Sequence, residues 1–254
     1  MSMHQLTWKL IVTALSVSVV VAPDWMATVG AVSPAVSMFE PPPGRDAPRG
    51  GTAGGGTRPV GRACLVNPSA KSGSLTALSP GHHLGLTQRN RPNLIVYVPQ
   101  TTAQMAEFSL FDQQMNGIYQ VSIPITQTGL ISIPFPDAAP SLTQNQPYYW
   151  TLALACNPTD RTEDLVVGGW IEQAEPSNSL KQHLAQAGTL EQISLYAQQG
   201  FWYDALNTLI ELERTQPNNP ELARTWAQLL QSVGLDAISL TVPKAKLVTY
   251  KHQG

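Results

Sequence analysis

The residues best equipped for chemistry are Asp160-Arg161-Thr162-Glu163-Asp164, three carboxylates and a guanidinium within five positions. Such a cluster could hold a divalent cation or supply an acid/base pair. It could equally be a turn: Asp160 can close an Asx turn after Pro158, and Arg161 can pair with a neighbouring acid. EF-hand spacing is absent, as is the glycine that a calcium loop requires, so the structural turn is the expectation. Cys64 and Cys156 are the only cysteines. Two cysteines far apart suit neither a metal site nor the C-x-x-C spacing of a redox pair. In an exported chain an even count points to a disulfide.

Other candidates are thinner. His82 and His83 are adjacent on an extended segment, where neighbouring side chains point apart, and no H-E-x-x-H accompanies them. Trp170, after Gly168-Gly169, and the run Tyr148-Tyr149-Trp150 could stack on sugars, but large aromatics in strands usually fill cores. Gly50 to Gly56 lacks the flanking strand, helix and Lys-Ser/Thr of a phosphate loop. With no G-x-S-x-G either, the expectation is no catalytic residue, no metal and no cofactor.

The elements that must position these residues fall into five stretches. Lys9 precedes an apolar run from Leu10 to Ala22, the length of a signal-peptide core and short for a membrane span. Residues 1–31 are therefore expected to be a signal peptide with Val29 and Ala31 at the cleavage site, and an uncleaved anchor helix is the alternative. Residues 32–62, rich in Pro and Gly, are expected to form a disordered linker. Charged residues are only 13% of 254 and the net charge is −2, which disfavours a nucleic-acid role.

Residues 63–175 read as β. Asn93–Pro99 is a short apolar run, and Asn116-Gly117 is a hairpin signal. Tyr119, Val121, Ile123 and Ile125 then alternate with polar residues. Pro124 and Pro134 place their strands at an edge or mark strand ends. Tyr148, Trp150, Leu152, Leu154 and Cys156 share one face. About seven strands without helical crossovers predict an immunoglobulin-like antiparallel β-sandwich, with a small barrel as runner-up.

Residues 176–234 turn helical. Thr189 and Gln192 read as a capping box, Gly200 as a helix stop, and Asn219-Pro220 as a helix start. The run YAQQGFWYDALNTLIELERTQPNNPE resembles one tetratricopeptide repeat, with Gly200 in the turn, Trp202 at the aromatic position and Ala205 at the small one. A single repeat cannot stand alone as a solenoid, so these helices should pack on the β domain or on a partner. Residues 235–254 are expected to be a flexible tail.

In order, PPPGRDAPRGGTAGGGTR, LTAL, FSLFD, CNPTDRTEDLVVGGWI and YAQQGFWYDALNTLIEL resemble an uncharacterised cyanobacterial family, the domain of unknown function DUF928. The likeness runs from about Pro41 to Gly234. It implies an exported protein with a β domain and a helical tail, and it brings no activity or catalytic residue. The expectation is a non-enzymatic, periplasmic or extracellular binding or assembly module. It would engage protein partners of the envelope, without nucleic acid or a stable membrane span. The alternative is an envelope enzyme, or a glycan- or cation-binding protein, using Asp160, Glu163 and Asp164.

Overall fold

Alternating apolar residues build two sheets. In a computed structural model that describes residues 39–48, 64–66, 74–239 and 248–249, nine strands and five helices belong to one unit, Val36–Gly254. The expected signal segment 1–31 lies outside the described residues.

The strands are β1 (Thr76–Ala77), β2 (Leu84–Thr87), β3 (Asn93–Val98), β4 (Met105–Phe111), β5 (Gly117–Pro124), β6 (Gly129–Pro134), β7 (Pro147–Leu154), β8 (Leu165–Gln173) and β9 (Val248–Thr249). One sheet runs β1-β3-β6-β9 and the other β2-β8-β7-β4-β5. In β7, Tyr148, Trp150, Leu152 and Leu154 pair with Ile171, Gly169, Val167 and Leu165 of β8. Across β4 the same row continues through Ala106, Phe108 and Leu110. These side chains share one core with Leu94, Val96, Ile131 and Ile133 of the first sheet.

The expectation of antiparallel pairing needs correcting in two ladders. β2 runs parallel to β8, and β9 runs parallel to β6. Neither partner follows through a hairpin, so no tight turn forces the antiparallel sense. β2 itself, only four residues, is too short for alternation to reveal. The Asn116-Gly117 signal does mark a hairpin, but its turn is longer than two residues. Asp112 accepts bonds from the amides of Gln114 and Asn116, and Met115 takes the left-handed conformation at φ 66. Pro124 ends the edge strand β5, whereas Pro134 is the last residue of β6, which lies inside its sheet.

The helices are α1 (Asn178–Gln186), α2 (Thr189–Gln198), α3 (Trp202–Thr215), α4 (Pro220–Gln231) and α5 (Asp236–Ser239). Gly200 turns α2 into α3 with φ 78, in the left-handed region that favours glycine. Asn219 caps α4 through the Glu221 amide, with Pro220 at its first position. The capping box expected at Thr189 is absent. Gly188 occupies the cap, and Gln192 donates instead to the Leu184 and Ala187 carbonyls at the end of α1. That exchange ties α2 to its predecessor.

Helix α3 packs Trp202, Tyr203, Ala205, Leu206 and Leu209 into the core. Tyr203 is fully buried; its hydroxyl accepts from Trp150 Nε1 at 2.9 Å and donates to the Trp170 carbonyl at 3.2 Å. Two glycines make room. A Cβ at Gly85 would lie 2.7 Å from the Tyr203 ring, and one at Gly169 would meet the Ser79 side chain at 2.5 Å. Trp202, next to it, donates to the Leu78 carbonyl at 2.8 Å. On the opposite face of the five-stranded sheet, Leu84, Leu86, Tyr149 and Trp170 form a second core with Leu180 of α1 and Phe201.

Part of the expected disordered linker is ordered. In residues 39–48, Phe39 is buried edge-on to Trp202 at 5.4 Å, the Glu40 amide donates to the Ala197 carbonyl, and Arg45 pairs with Glu172. A lone aromatic and an arginine anchor the strap, and prolines restrict its unfolded state. The expected tail carries α5, with Ile238 buried, and β9. Both are too short for a periodic signal.

Replacing Tyr203 with Phe should remove about 1–3 kcal/mol of stability, because the buried Trp150 Nε1 loses its acceptor. Thermal denaturation of the Tyr203→Phe variant checks this, and an unchanged midpoint would refute it.

Candidate functional site

The acidic segment forms a 3-10 turn, Arg161–Glu163, between β7 and β8. Asp160 caps it, its Oδ1 accepting from the Thr162 amide at 3.0 Å and the Thr162 hydroxyl at 2.5 Å. Those bonds hold the exposed Asp160 carboxyl below its ordinary pKa, led by the one from the Thr162 hydroxyl. Arg161 Nε donates to Asp164 Oδ2 at 2.6 Å, and its outer nitrogen reaches Glu107 Oε1 of β4 at 3.5 Å. The bond to Asp164 is the main reason that the guanidinium is held in its charged form. Asp164 is largely buried, and its Oδ1 has no hydrogen-bond partner among the described residues.

Asp160 is thus spent on the turn and Asp164 on Arg161. The segment joins β7 to β8 and braces them against β4. Among the described residues no group of three or more His, Cys, Asp or Glu side chains is placed to hold a metal ion.

Cys64 and Cys156 are bonded, with Cα atoms 5.0 Å apart and a sequence separation of 92. Cys64 is buried, whereas Cys156 lies two residues past the end of β7 and is half-buried. The Cys64 carbonyl accepts from the Thr102 amide at 2.8 Å and the Thr101 hydroxyl at 2.8 Å. The bridge ties Cys64 to the end of β7, and these hydrogen bonds tie it to the segment that leads into β4.

The disulfide and the acidic turn meet at one hollow. A cavity of about 340 Å³ is lined by Thr102, Gln104, Met105, Glu107, Ser122, Cys156 and Arg161, among others. Its walls come from three segments that nothing in the sequence connects. His82 and His83 are exposed, with the His83 ring 6.4 Å from Phe39. Tyr149, Trp150 and Trp170 are buried in the two cores rather than presented to a ligand.

A second polar hollow, about 520 Å³, has no counterpart among the sequence motifs. Gln88, Arg89, Asn90, Arg91, Leu142 and Gln173 line it. Arg91 is held by the carbonyls of Pro136 and Ala139 at 2.6 and 2.8 Å. The turn beneath is latched to α3 by Asp204, whose Oδ2 accepts from the Gln88 amide at 2.9 Å. Burial pushes the Asp204 carboxyl up to about 6, against the lowering effects of the Gln88 bond and the Arg89 charge. The one signal in the sequence is a carboxylate within the apolar stripe of α3.

The described residues thus form a mixed β and α domain with two sheets, five helices and one internal disulfide. No helix among them is long and apolar enough to cross a membrane. The family described as Domain of Unknown Function (DUF928) matches residues 53–242, and the chain belongs to that family. The match spans both cysteines, the acidic turn and all five helices. Among curated proteins none matches the chain.

The disulfide and Asp204 each make a measurable contribution. Replacing both cysteines by serine should cost up to about 4–5 kcal/mol on the chain-entropy account of so long a loop; chemical denaturation with intact and reduced protein as references measures it. Asp204→Asn keeps an oxygen for the Gln88 amide and removes a buried charge. Because the folded pKa lies above the unfolded one, the native state holds the extra proton between about pH 4 and 6. Wild type therefore loses stability as pH rises through that window. The variant should be more stable at pH 7 by up to about 3 kcal/mol, since each tenfold change in proton affinity is worth about 1.4 kcal/mol. Below about pH 4 the two should be equally stable. Denaturant titrations at pH 4 and pH 7 test this; an equal difference at both would exclude the linkage.

Proposed function

We propose that the protein is a non-enzymatic, exported binding or assembly module of the cell envelope that engages protein partners. The observation that carries this reading is the placing of exposed apolar side chains. Met105, Met115 and Ile118, at 40%, 42% and 37% exposure, all lie on the β4–β5 hairpin. Met105 also lines the hollow beside the disulfide. Apolar side chains spread along one edge of the sheet, Met105 at the open end of the hairpin beside the charged pair Arg161 and Glu107 and Met115 and Ile118 at its turn, are the composition of a protein-binding surface.

Export is supported by the disulfide, which suits an oxidising compartment, and by the apolar N-terminal run. On this reading the two sheets form an immunoglobulin-like sandwich, and α2 with α3 forms one tetratricopeptide-like hairpin, Gly200, Trp202 and Ala205 holding its turn and packing positions. That hairpin finds its missing neighbour in the β core through Tyr203. The enzyme or cation reading of Asp160, Glu163 and Asp164 draws less support, because Thr162 and Arg161 already occupy two of the three carboxylates.

A photo-crosslinking amino acid at position 105, compared with one at Glu191 on α2, tests the reading in intact cells. Protein adducts should form from position 105 and not from position 191. Absence of adducts at 105 would refute the proposal.

A further inference from the structure

We propose that strand β5 pairs antiparallel with β5 of a second copy of this chain, so that one sheet continues through both molecules. The inference rests on the reading that this end of the sheet engages protein, and it names the partner. Among the described residues β5 is the edge of the five-stranded sheet and pairs on one side only, with β4. Along an antiparallel strand every second residue turns its amide and carbonyl away from the neighbour it already has. An edge of eight residues therefore presents a template for another strand.

Natural edges are usually blunted by charge, by proline or by cover. β5 reads Gly-Ile-Tyr-Gln-Val-Ser-Ile-Pro, uncharged and with proline only at its last position. No charged residue occurs between Asp112 and Asp137. The opposite edge of the sheet is treated differently: in β2 the Leu86 amide is taken by the Gly200 carbonyl.

The side chains of β5 suit self-pairing. A two-fold axis sets each residue of the strand against a residue of the same strand, so any net charge would face its own sign. β5 passes that condition. With the axis at Val121, Tyr119 opposes Ile123 and Gln120 opposes Ser122, so each face of the strand meets its like. Tyr119, Val121 and Ile123 pair with Leu110, Phe108 and Ala106 of β4, which puts them on the core side in both copies. The same register sets Ile118 opposite Pro124 of the second copy, and Pro124 is the cross-strand partner of Met105. Ile118, Pro124 and Met105, the last two from the second copy, thereby fall in one row across the junction.

The test uses the full chain with its disulfide intact, measured by size-exclusion chromatography with light scattering over a concentration series. Wild type should dimerise. Gln120→Lys with Ser122→Lys, at two exposed positions, sets like charges opposite one another and should weaken the dimer by roughly tenfold or more. Gln120→Glu with Ser122→Lys sets opposite charges at the same contacts, with the new lysine opposite Glu107 of β4 rather than a new acid, and should restore it. Circular dichroism of both variants confirms that the fold is kept. A wild type that stays monomeric, or a Lys-Lys variant that dimerises as wild type does, overturns the proposal. If position 105 still yields protein adducts with a monomeric wild type, the occupant is a foreign protein: the pairing proposal fails while the wider reading stands.

Discussion

The hydroxyl of Tyr203 is the point on which the rest of the structure depends. It joins a helix, α3, to two strands of the five-stranded sheet, accepting from Trp150 of β7 and donating to the backbone of β8. A polar atom so deeply buried is tolerable only when its bonds are satisfied. Burial also raises the phenol's pKa well above its ordinary value, so the hydroxyl remains a neutral donor. The side chain can reach these partners only because Gly85 and Gly169 carry no Cβ. Helices and sheets are thereby one cooperative body, and the helical segment is better regarded as a wall of the β core than as an appendage.

The second organising constraint is the arrangement of ties around β8. Arg45 of the strap meets Glu172 at its end, Arg161 spans from its preceding turn to β4, and Asp204 fixes the neighbouring β2–β3 turn to α3. Each tie joins segments far apart in sequence. Stability of this kind is spread over long-range contacts, whose ordering cost is met only when the whole sheet has formed. Among the described residues the β4–β5 hairpin, by contrast, ends the sheet with its outer strand paired on one side only, and it carries three of the five exposed large apolar side chains.

Alternation from Tyr119 to Ile125 and from Tyr148 to Leu154 makes strands and their buried faces legible in the sequence, because a half-buried strand repeats every second residue. Gly200 and Asn219-Pro220 mark helix boundaries for equally local reasons. The disulfide and the turn-like use of Asp160 and Arg161 are also readable. What cannot be read depends on distant partners. β2 is four residues between turns, the strap resembles any Pro/Gly tether until Phe39 finds Trp202, and Thr189 with Gln192 copies a cap whose place Gly188 takes. The hollow beside the disulfide is illegible for the same reason: its lining comes from segments that only the folded sheet brings together.

The bridge between Cys64 and Cys156 also sets the molecule's topology. It closes a covalent ring holding β1 through β7, while the strap, β8, β9 and all five helices hang outside as two arms. A protease that cuts the exposed loop between β4 and β5 would open the ring without dividing the molecule, since the sulfur link still joins the two pieces. A cut in either arm has no such safeguard. The sheet end at the β4–β5 hairpin thus shares with the rest of the ring a protection against loss by nicking that the arms lack.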